Sequence, residues 1–369
     1  MEPEGNARVR RLHVPPVYVL TVRRRLADQR EVAAALAERL PEVAEMLTGP
    51  PMALRLGLPR NGKTDFELAF PVATGVEQEG YAAKTLPTLP MLAITHAGAL
   101  DGGPEGTNLA HTWGRFVEFV RSRSILVGDD PSRYLYHQGL SSVGSAGERV
   151  VLEVQYPYHL PLWLDALRRG VADRAGEDAA ERVMAGSHGL ADALDGAWAA
   201  DWAQGAVDRL DRELPDERDR ARVLNACAHH YIVQSGEILG AAWEDVGHDL
   251  GRLVSRINEE TLLGGRYEID TSGPEPLLLI TRRPARQEAY DRADDPVEKR
   301  YQACFCPLVR EAIRGGKAVS RSFCHCSAGW YVQEWEIVFG EPPEVLLLDT
   351  MLEGADACRF AVKIPPGVL

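Results

Sequence analysis

The sequence lacks any uninterrupted apolar stretch of about 20 residues, the length that a membrane-spanning helix needs. Its first residues, Met1-Glu2-Pro3-Glu4, lack the apolar segment of a signal peptide. Basic residues are outnumbered, 41 against 54 acidic ones, which leaves a formal net charge of −13. We therefore expect a cytoplasmic protein without a membrane partner, and its acidic surface disfavours direct binding to nucleic acid.

Several catalytic and binding signatures are also missing. The chain has no Gly-x-Ser-x-Gly elbow, no dinucleotide fingerprint and no His-Glu-x-x-His motif. The segment from Gly57 to Thr64 ends like a phosphate-binding loop, but a predicted strand follows it where a helix N-terminus is required. No helix-turn-helix pattern precedes the first strands, so we expect no DNA-binding segment there.

Two hydrophobic cores of ordinary size fit into 369 residues. Alternating and helical spacings of apolar residues predict a strand, a helix and two strands, and then the same order again. The predicted elements are 14–23, 26–47, 52–58 and 66–72 in the first set, and 89–96, 107–122, 134–136 and 150–156 in the second. We predict an α+β fold whose N-terminal domain, residues 10–162, is a duplicated β-α-β-β groove domain.

The rest of the chain has a different pattern. Residues 163–190 are rich in Arg, Asp, Glu, Ala and Gly, which predicts a linker helix. Residues 191–369 begin with helices and continue with short strands, and they contain four of the six cysteines as two Cys-x-Cys pairs. We predict a second, Cys-rich α+β domain there.

The first domain resembles a known family in the order of three segments. Thr95-His96-Ala97-Gly98 follows a strand, and a helix carrying Trp113 comes next. After that helix come Pro131-Ser132-Arg133-Tyr134-Leu135-Tyr136 and the final strand Leu152-Glu153-Val154-Gln155-Tyr156-Pro157. This order is similar to the DNA gyrase inhibitor-like (GyrI-like) small-molecule-binding domain, which is also the effector-binding half of multidrug-sensing regulators. Ala99-Leu100 departs from the family, where Pro-Tyr is common.

The resemblance implies a groove with aromatic walls and an acidic residue at its base. Glu153 matches the acidic residue, and a carboxylate in an apolar pocket pairs well with a hydrophobic, cationic ligand. The candidate ligand-binding residues are Glu153, Trp113, Tyr134, Tyr136 and His96. The competing interpretations are a solvated strand glutamate, a core tryptophan and a structural histidine.

The same resemblance implies an enzymatic alternative. Some relatives are implied to be hydrolases that open electrophilic natural products with a glutamate and a tyrosine. Glu153 with Tyr136, or with Tyr134, would be the catalytic pair here, provided that the carboxylate reaches a water at the reacting carbon.

The two Cys-x-Cys pairs, Cys304 with Cys306 and Cys324 with Cys326, are the strongest local signal. If each pair lies in a strand, its two thiols point to the same face. Four thiolates then form a tetrahedral set that suits zinc, our first expectation, or an iron–sulfur centre. The alternatives are redox-active vicinal thiols, a nucleophile assisted by His325, or buried small hydrophobes.

The second domain also resembles known families. Three segments carry the similarity, Ser327-Ala328-Gly329-Trp330, Phe339-Gly340 and Gly354-Ala355-Asp356-Ala357-Cys358-Arg359-Phe360. They resemble the 4-vinyl-reductase-type domain and a Cys-rich bacterial family related to the amino-thiazoline carboxylate hydrolases. Cys358 matches a family cysteine, whereas the family cysteine near Met351 is missing. Cys227 and His230, three residues apart on a predicted helix, are candidates for further ligands.

Three functions follow from these patterns. The first is the binding or sensing of a hydrophobic or cationic, drug-like molecule in the N-terminal groove. The second is hydrolysis, at Glu153 or at a C-terminal cysteine. The third is thiol or metal sensing by Cys304, Cys306, Cys324 and Cys326. The sequence predicts no particular oligomeric state.

Overall fold

A computed structural model describes residues 8–60, 63–101, 108–125, 127, 132–145, 148–228 and 233–369. The chain divides into two compact units, Met1–His159 and Leu160–Leu369. Both units combine helices with antiparallel sheet. The predicted α+β fold class is therefore confirmed.

The first unit contains the predicted β-α-β-β order twice, as β2-α1-β3-β4 and β6-α2-β7-β8. Two further strands of five residues each, β1 and β5, were not predicted. The elements are β1 (Arg10–Val14), β2 (Val17–Leu26), α1 (Gln29–Val43), β3 (Met52–Arg60), β4 (Lys63–Pro71), β5 (Ala82–Leu86), β6 (Leu89–Gly98), α2 (Leu109–Ser122), β7 (Arg133–Gln138) and β8 (Val150–Pro157).

Each helix of this unit is preceded by an N-cap residue whose side chain accepts hydrogen bonds from the first turn. The Asp28 carboxylate accepts hydrogen bonds from the backbone N–H groups of Arg30 and Glu31, ahead of α1. The Asn108 side chain accepts one from the backbone N–H of His111, ahead of α2. These caps satisfy N–H groups that a helix start leaves without partners.

The eight strands form one sheet in the order β1-β6-β8-β7-β3-β4-β2-β5. Only Pro87 and Thr88 separate β5, at one end, from β6, next to the other end. In a flat sheet, the six strand spacings between β6 and β5 would separate these two strands by about 29 Å. The three Cα–Cα steps from Leu86 to Leu89 reach about 11 Å at most. The sheet must therefore curl until its two ends approach each other.

The two faces of this sheet have different surroundings. On one face, Arg133 Nη2 donates to the Pro87 carbonyl oxygen at 3.3 Å, so the β5–β6 link lies over that face. We call it the inner face, because it is the inside of the curl. On the opposite, helix-side face, Tyr156 stacks against Phe116 of α2, and the Tyr136 hydroxyl donates to Gln29 of α1.

The second unit contains eleven α-helices and four strands among its described residues. They are α3 (Leu160–Ala175), α4 (Glu177–Met184), α5 (Leu190–Ala193), α6 (Gly196–Glu213), α7 (Glu217–Ala226), α8 (Val233–Asp245), α9 (Leu250–Glu260), β9 (Gly265–Asp270), β10 (Leu277–Arg282), α10 (Gln287–Arg292), α11 (Pro296–Ala303), α12 (Pro307–Arg314), α13 (His325–Phe339), β11 (Val345–Asp349) and β12 (Arg359–Lys363).

The strands of this unit form an antiparallel sheet in the order β11-β12-β10-β9. Buried residues from α9, α13 and the sheet form a hydrophobic core, which includes Leu253, Tyr331, Trp335 and Phe360. α13 has apolar residues on most of its surface, as expected for a helix in the middle of a unit.

The segment predicted as a linker helix is helical, and it packs within the second unit. Residues 163–190 form most of α3, all of α4 and the start of α5, and they belong to the second unit. Trp163, Leu167 and Val171 of α3 are fully buried. The charged composition of the segment reflects its outer faces, while apolar residues at helical spacing provide the buried face.

Candidate functional site

Glu153 places a carboxylate on the inner face of β8, where its side chain is 12% exposed. Oε2 accepts a hydrogen bond from Arg10 Nη2 at 2.6 Å, and Oε1 accepts one from Gln155 Nε2 at 2.6 Å. A buried carboxylate is costly unless it is paired and hydrogen-bonded. Arg10 and Gln155 together meet that requirement.

Two buried groups near Glu153 have polar atoms without a hydrogen-bond partner among the described residues. They are the Gln155 Oε1 acceptor, on a residue that is 3% exposed, and the Arg133 Nε donor, on a residue that is 1% exposed. Burial lowers the pKa of Arg133 to about 10. Buried polar atoms are nearly always hydrogen-bonded, so such exceptions commonly indicate where a ligand or a water binds.

Apolar residues surround these polar groups on the inner face. Strand pairing places Leu135 opposite Glu153, and Leu54 opposite Arg133. A hydrophobic cluster continues across the sheet from there and contains Val19, Met52, Leu54, Ala69 and Leu86. An apolar surface with one buried carboxylate and an unused amide oxygen suits a hydrophobic molecule that carries a positive charge or an N–H donor.

The structure places the predicted tyrosines on the other side of the sheet. Tyr134 pairs with Val154, and Tyr136 pairs with Leu152, whereas Glu153 pairs with Leu135. Because side chains alternate between faces along a strand, both tyrosines lie on the helix-side face. Burial raises the pKa of Tyr136 well above its ordinary value. The structure therefore does not bring Glu153 together with Tyr134 or Tyr136, as the hydrolase alternative requires.

Trp113 and His96 also lie on the helix-side face. Trp113 is half-buried, and its ring centroid lies 4.8 Å from that of Tyr156. His96 Nδ1 lies 2.9 Å from Thr112 Oγ1, and Nε2 lies 3.0 Å from the Ala99 carbonyl oxygen. Burial lowers the pKa of His96, so its neutral form is favoured. Of the five predicted ligand contacts, only Glu153 lies on the inner face.

Sequence reasoning missed three residues of this site, Arg10, Arg133 and Gln155. Gln155 lies two positions after Glu153 in the same strand, so strand alternation alone places both on one face. Arg10 and Arg133 had no comparable signal, because their approach depends on which strands are neighbours in the sheet.

The two Cys-x-Cys pairs do not lie in strands, which corrects the sequence-based prediction. Cys304 follows the last residue of α11, and Cys306 precedes the first residue of α12. Cys324 precedes α13, and Cys326 lies in its first turn. Pro307 begins α12 directly after Cys306, where its fixed φ and missing N–H favour a helix start. Alternation along a strand therefore does not direct these thiols.

All six cysteines are free. Burial is the main cause that raises the pKa of Cys324 well above its ordinary value, and the neighbouring thiols of Cys358, Cys304 and Cys306 raise it further. Burial and the nearby Cys326 raise the pKa of Cys306 to about 12. Burial and Cys326 likewise raise the pKa of Cys227 well above its ordinary value. These influences place all six cysteines in one neighbourhood, within which we call the two Cys-x-Cys pairs and Cys358 the cysteine cluster.

The arrangement of the cysteine cluster concerns two of the predicted roles, metal binding and nucleophilic catalysis. Within the part of the chain that the structure describes, no group of three or more His, Cys, Asp or Glu side chains is arranged to hold a metal ion. Activated cysteine nucleophiles have a lowered pKa, whereas burial raises the pKa of every thiol in this cluster. His325 Nε2 lies 3.4 Å from Glu217 Oε1. His229 and His230 lie outside the described residues.

Comparison with known proteins gives limited structural similarity. The C-terminal domain of EcmrR is 16% identical, with 42% of this chain and 98% of that domain covered and a TM-score of 0.32. SAV2435 bound to tetraphenylphosphonium is 13% identical to this chain. The match covers 41% of this chain and 93% of SAV2435, with a TM-score of 0.31. A hydrolase from Listeria innocua is 14% identical to this chain. The match covers 41% of this chain and 91% of the hydrolase, with a TM-score of 0.28.

These similarities concern less than half of the chain, and TM-scores of this size assign neither a family nor an activity. No family model matches the chain, and no curated protein matches it. The resemblances to the GyrI-like domain and to the Cys-rich families therefore remain predictions. In the described ranges, no helix is both long enough and apolar enough to cross a membrane.

Proposed function

We propose that the first unit binds a hydrophobic, positively charged small molecule on its inner face. The observation that carries this proposal is the buried Glu153 carboxylate beside the unpartnered Gln155 Oε1. The carboxylate attracts a positive charge, and the amide oxygen accepts an N–H or O–H group where the ligand has one. The apolar cluster around them binds hydrocarbon or aromatic parts of the same molecule.

Arg10 competes with a ligand cation for the Glu153 carboxylate. Its side chain is 50% exposed, whereas that of Glu153 is 12% exposed. The arginine can leave and regain hydration, while the carboxylate stays on the strand. A ligand cation would therefore replace the Arg10 guanidinium at Glu153, which keeps the buried carboxylate paired in both states.

Calorimetric titration with tetraphenylphosphonium, the cation bound to SAV2435, tests the proposal. We expect Glu153→Gln to weaken binding by about tenfold to a hundredfold, because a buried ion pair is lost while the shape is kept. Arg10→Gln should strengthen binding, because the competitor is removed. Glu118→Gln, which removes the same charge from an exposed position of α2, is the matched control and should change little.

The titration has a clear negative result. Unchanged affinity in Glu153→Gln, with wild-type protein binding the cation, would move the binding site away from Glu153. Absence of binding to the wild-type protein by this cation and by a panel of smaller aromatic ammonium ions would contradict the proposed function itself.

We propose a second function for the other unit, the binding of a thiophilic metal by the cysteine cluster. Cys304, Cys306, Cys324 and Cys326 are the proposed ligands, and zinc is the first ion to test. The support is that the cluster brings four free cysteines of separate helix ends into one neighbourhood. Binding would require these helix ends to move together, since no such arrangement exists among the described residues.

Elemental analysis of the purified, reduced protein tests this second function. We expect about one zinc per chain, because four thiolates match the preference of a structural zinc site. Cys306→Ser combined with Cys324→Ser should abolish retention of the metal, whereas Cys227→Ser should not. Protein that retains neither zinc nor iron, and binds neither when each is added under reducing conditions, would contradict this proposal.

A further inference from the structure

The last strands of the two repeats share a short pattern. Phe66-Glu67-Leu68-Ala69-Phe70-Pro71 ends β4, and Leu152-Glu153-Val154-Gln155-Tyr156-Pro157 ends β8. In both, a glutamate stands four residues before the closing proline. Glu67 is thus the counterpart of Glu153 in the first repeat.

The strand register confirms this correspondence in space. β3 pairs with β7 so that Ala53 lies opposite Tyr134, and a local two-fold axis between these residues relates Leu54 to Leu135. Leu54 lies opposite Glu67, and Leu135 lies opposite Glu153. The two glutamates are therefore related by the axis of the duplication, and both lie on the inner face.

Both carboxylates have the same kind of surroundings. The Glu67 side chain is 5% exposed, and Lys84 of β5 pairs with its carboxylate. Lys84 is itself 41% exposed, much as Arg10 is at Glu153. β5 and β1 are the outermost strands at the two ends of the sheet. Each carboxylate is thus buried, and its counter-ion extends from the nearest sheet edge and is half in solvent.

Apolar residues and one buried arginine lie between the two carboxylates. The arginine is Arg133 of β7, which lies opposite Leu54 on the same inner face. Leu54 and Met52 of β3 belong to the buried cluster on the inner face, and Leu135 of β7 packs against it. Glu67 lies beyond this surface on one side, and Glu153 lies beyond it on the other. The row of Leu135, Met52 and Leu54 is apolar and has a buried anion at each end. It is complementary to a molecule with an apolar middle and a cation at each end.

We propose that Glu67 is a second cation subsite, and that the first unit accommodates a dicationic molecule whose two charges replace Lys84 and Arg10. This inference rests on the proposed function of Glu153. The two subsites differ in two respects. Arg23 of β2 lies opposite Glu67, whereas Thr95 of β6 lies opposite Glu153. Ala69 occupies the position in β4 that Gln155 occupies in β8, two residues after the glutamate. The Glu67 subsite therefore lacks the amide oxygen and suits a cation without N–H donors, such as a quaternary ammonium group.

The proposal is tested with α,ω-bis(trimethylammonium)alkanes of increasing chain length, which compete with tetraphenylphosphonium for the wild-type protein. Each is compared with the alkyltrimethylammonium ion of equal length, which has one charge. At one optimal length, we expect the dication to bind at least about tenfold more tightly than the monocation, the gain of a second charge-assisted contact. That optimal length also measures the separation of the two carboxylates.

Variants assign this advantage to Glu67. In Glu67→Gln, the dication should bind no better than the monocation, because only the Glu153 subsite remains. In Lys84→Gln, the dication should bind more tightly, because the cation that competes for Glu67 is removed. Since Lys84→Gln predicts a gain in affinity, a loss of folding cannot imitate it. Glu118→Gln is again the control for removal of a charge.

Two results would overturn the second subsite while leaving the first intact. One is a dication that binds no better than the monocation at any chain length, although tetraphenylphosphonium binds. The other is a dication advantage that persists in Glu67→Gln. Failure of tetraphenylphosphonium itself to bind would instead contradict the proposed function of Glu153.

Discussion

Thiol labelling of the native protein at pH 8 is expected to proceed more than about a hundredfold more slowly at Cys306 and Cys326 than in the unfolded chain. An ordinary cysteine, with a pKa of about 8.5, is about one quarter thiolate at this pH. Burial raises the pKa of Cys326 to about 11 and that of Cys306 to about 12, and only the thiolate reacts. Iodoacetamide labelling followed by peptide mass spectrometry measures each site separately.

The same labelling in strong denaturant supplies the reference rate. Native labelling at the unfolded rate would show that these thiols are accessible and acidic, and it would restore a nucleophilic role. If elemental analysis finds zinc, labelling is repeated after chelation. Faster labelling after chelation attributes the protection to the metal, and unchanged labelling attributes it to burial.

Gly329→Ala is expected to destabilise the second unit by at least about 2 kcal/mol. Gly329 lies in α13 where this helix crosses the end of α7. An added Cβ would lie 2.2 Å from the Asn225 carbonyl oxygen and 2.6 Å from the Ala228 Cβ. Both neighbours belong to a packed backbone segment, so the helices must separate. This effect exceeds the helix propensity that alanine gains, about 1 kcal/mol.

Urea unfolding of the full chain, followed by tryptophan fluorescence, measures this effect. Gly205→Ala in α6 is the matched control, because it makes the same change inside a helix of the same unit. Its Cβ would meet only Arg209 Nη1, at 3.3 Å, so a small shift of one side chain relieves the contact and no backbone has to move. We expect unchanged or slightly higher stability there. Equal unfolding curves for the two variants would contradict the close helix crossing at Gly329.

Local patterns predicted the repeats of the first unit well. The apolar spacing in α1 and α2 and the alternation in β2, β4, β6 and β8 are properties of single segments. β1 and β5 have five residues each, too few for a clear alternation, and their place in the sheet depends on distant partners. Without β1 and β5, neither Arg10 nor Lys84 could be assigned to a carboxylate.

The candidate site was predictable only in part. The GyrI-like resemblance identified Glu153, and the structure places it on the inner face. The sequence did not show that the tyrosines lie on the opposite face from Glu153. Which residues of β8 share a face with Tyr136 depends on the register between β7 and β8. The cysteines were misplaced for a local reason. Pro307 follows Cys306 directly, and its fixed φ and missing N–H favour a helix start rather than a strand.

The strand order of the first unit has a consequence for synthesis on the ribosome. Strands β2 to β5 follow one another along the chain, and together they form one continuous half of the sheet. This half can therefore assemble once residue 86 has emerged. β1 emerges before all of them, yet its sheet partner is β6, and the Glu153 partner of Arg10 lies 143 residues further on. β1 therefore leaves the ribosome before β2 to β5 but is fixed in the sheet after them. During that interval, a β-strand with unpaired backbone groups is available to chaperones or to β1 of a neighbouring nascent chain.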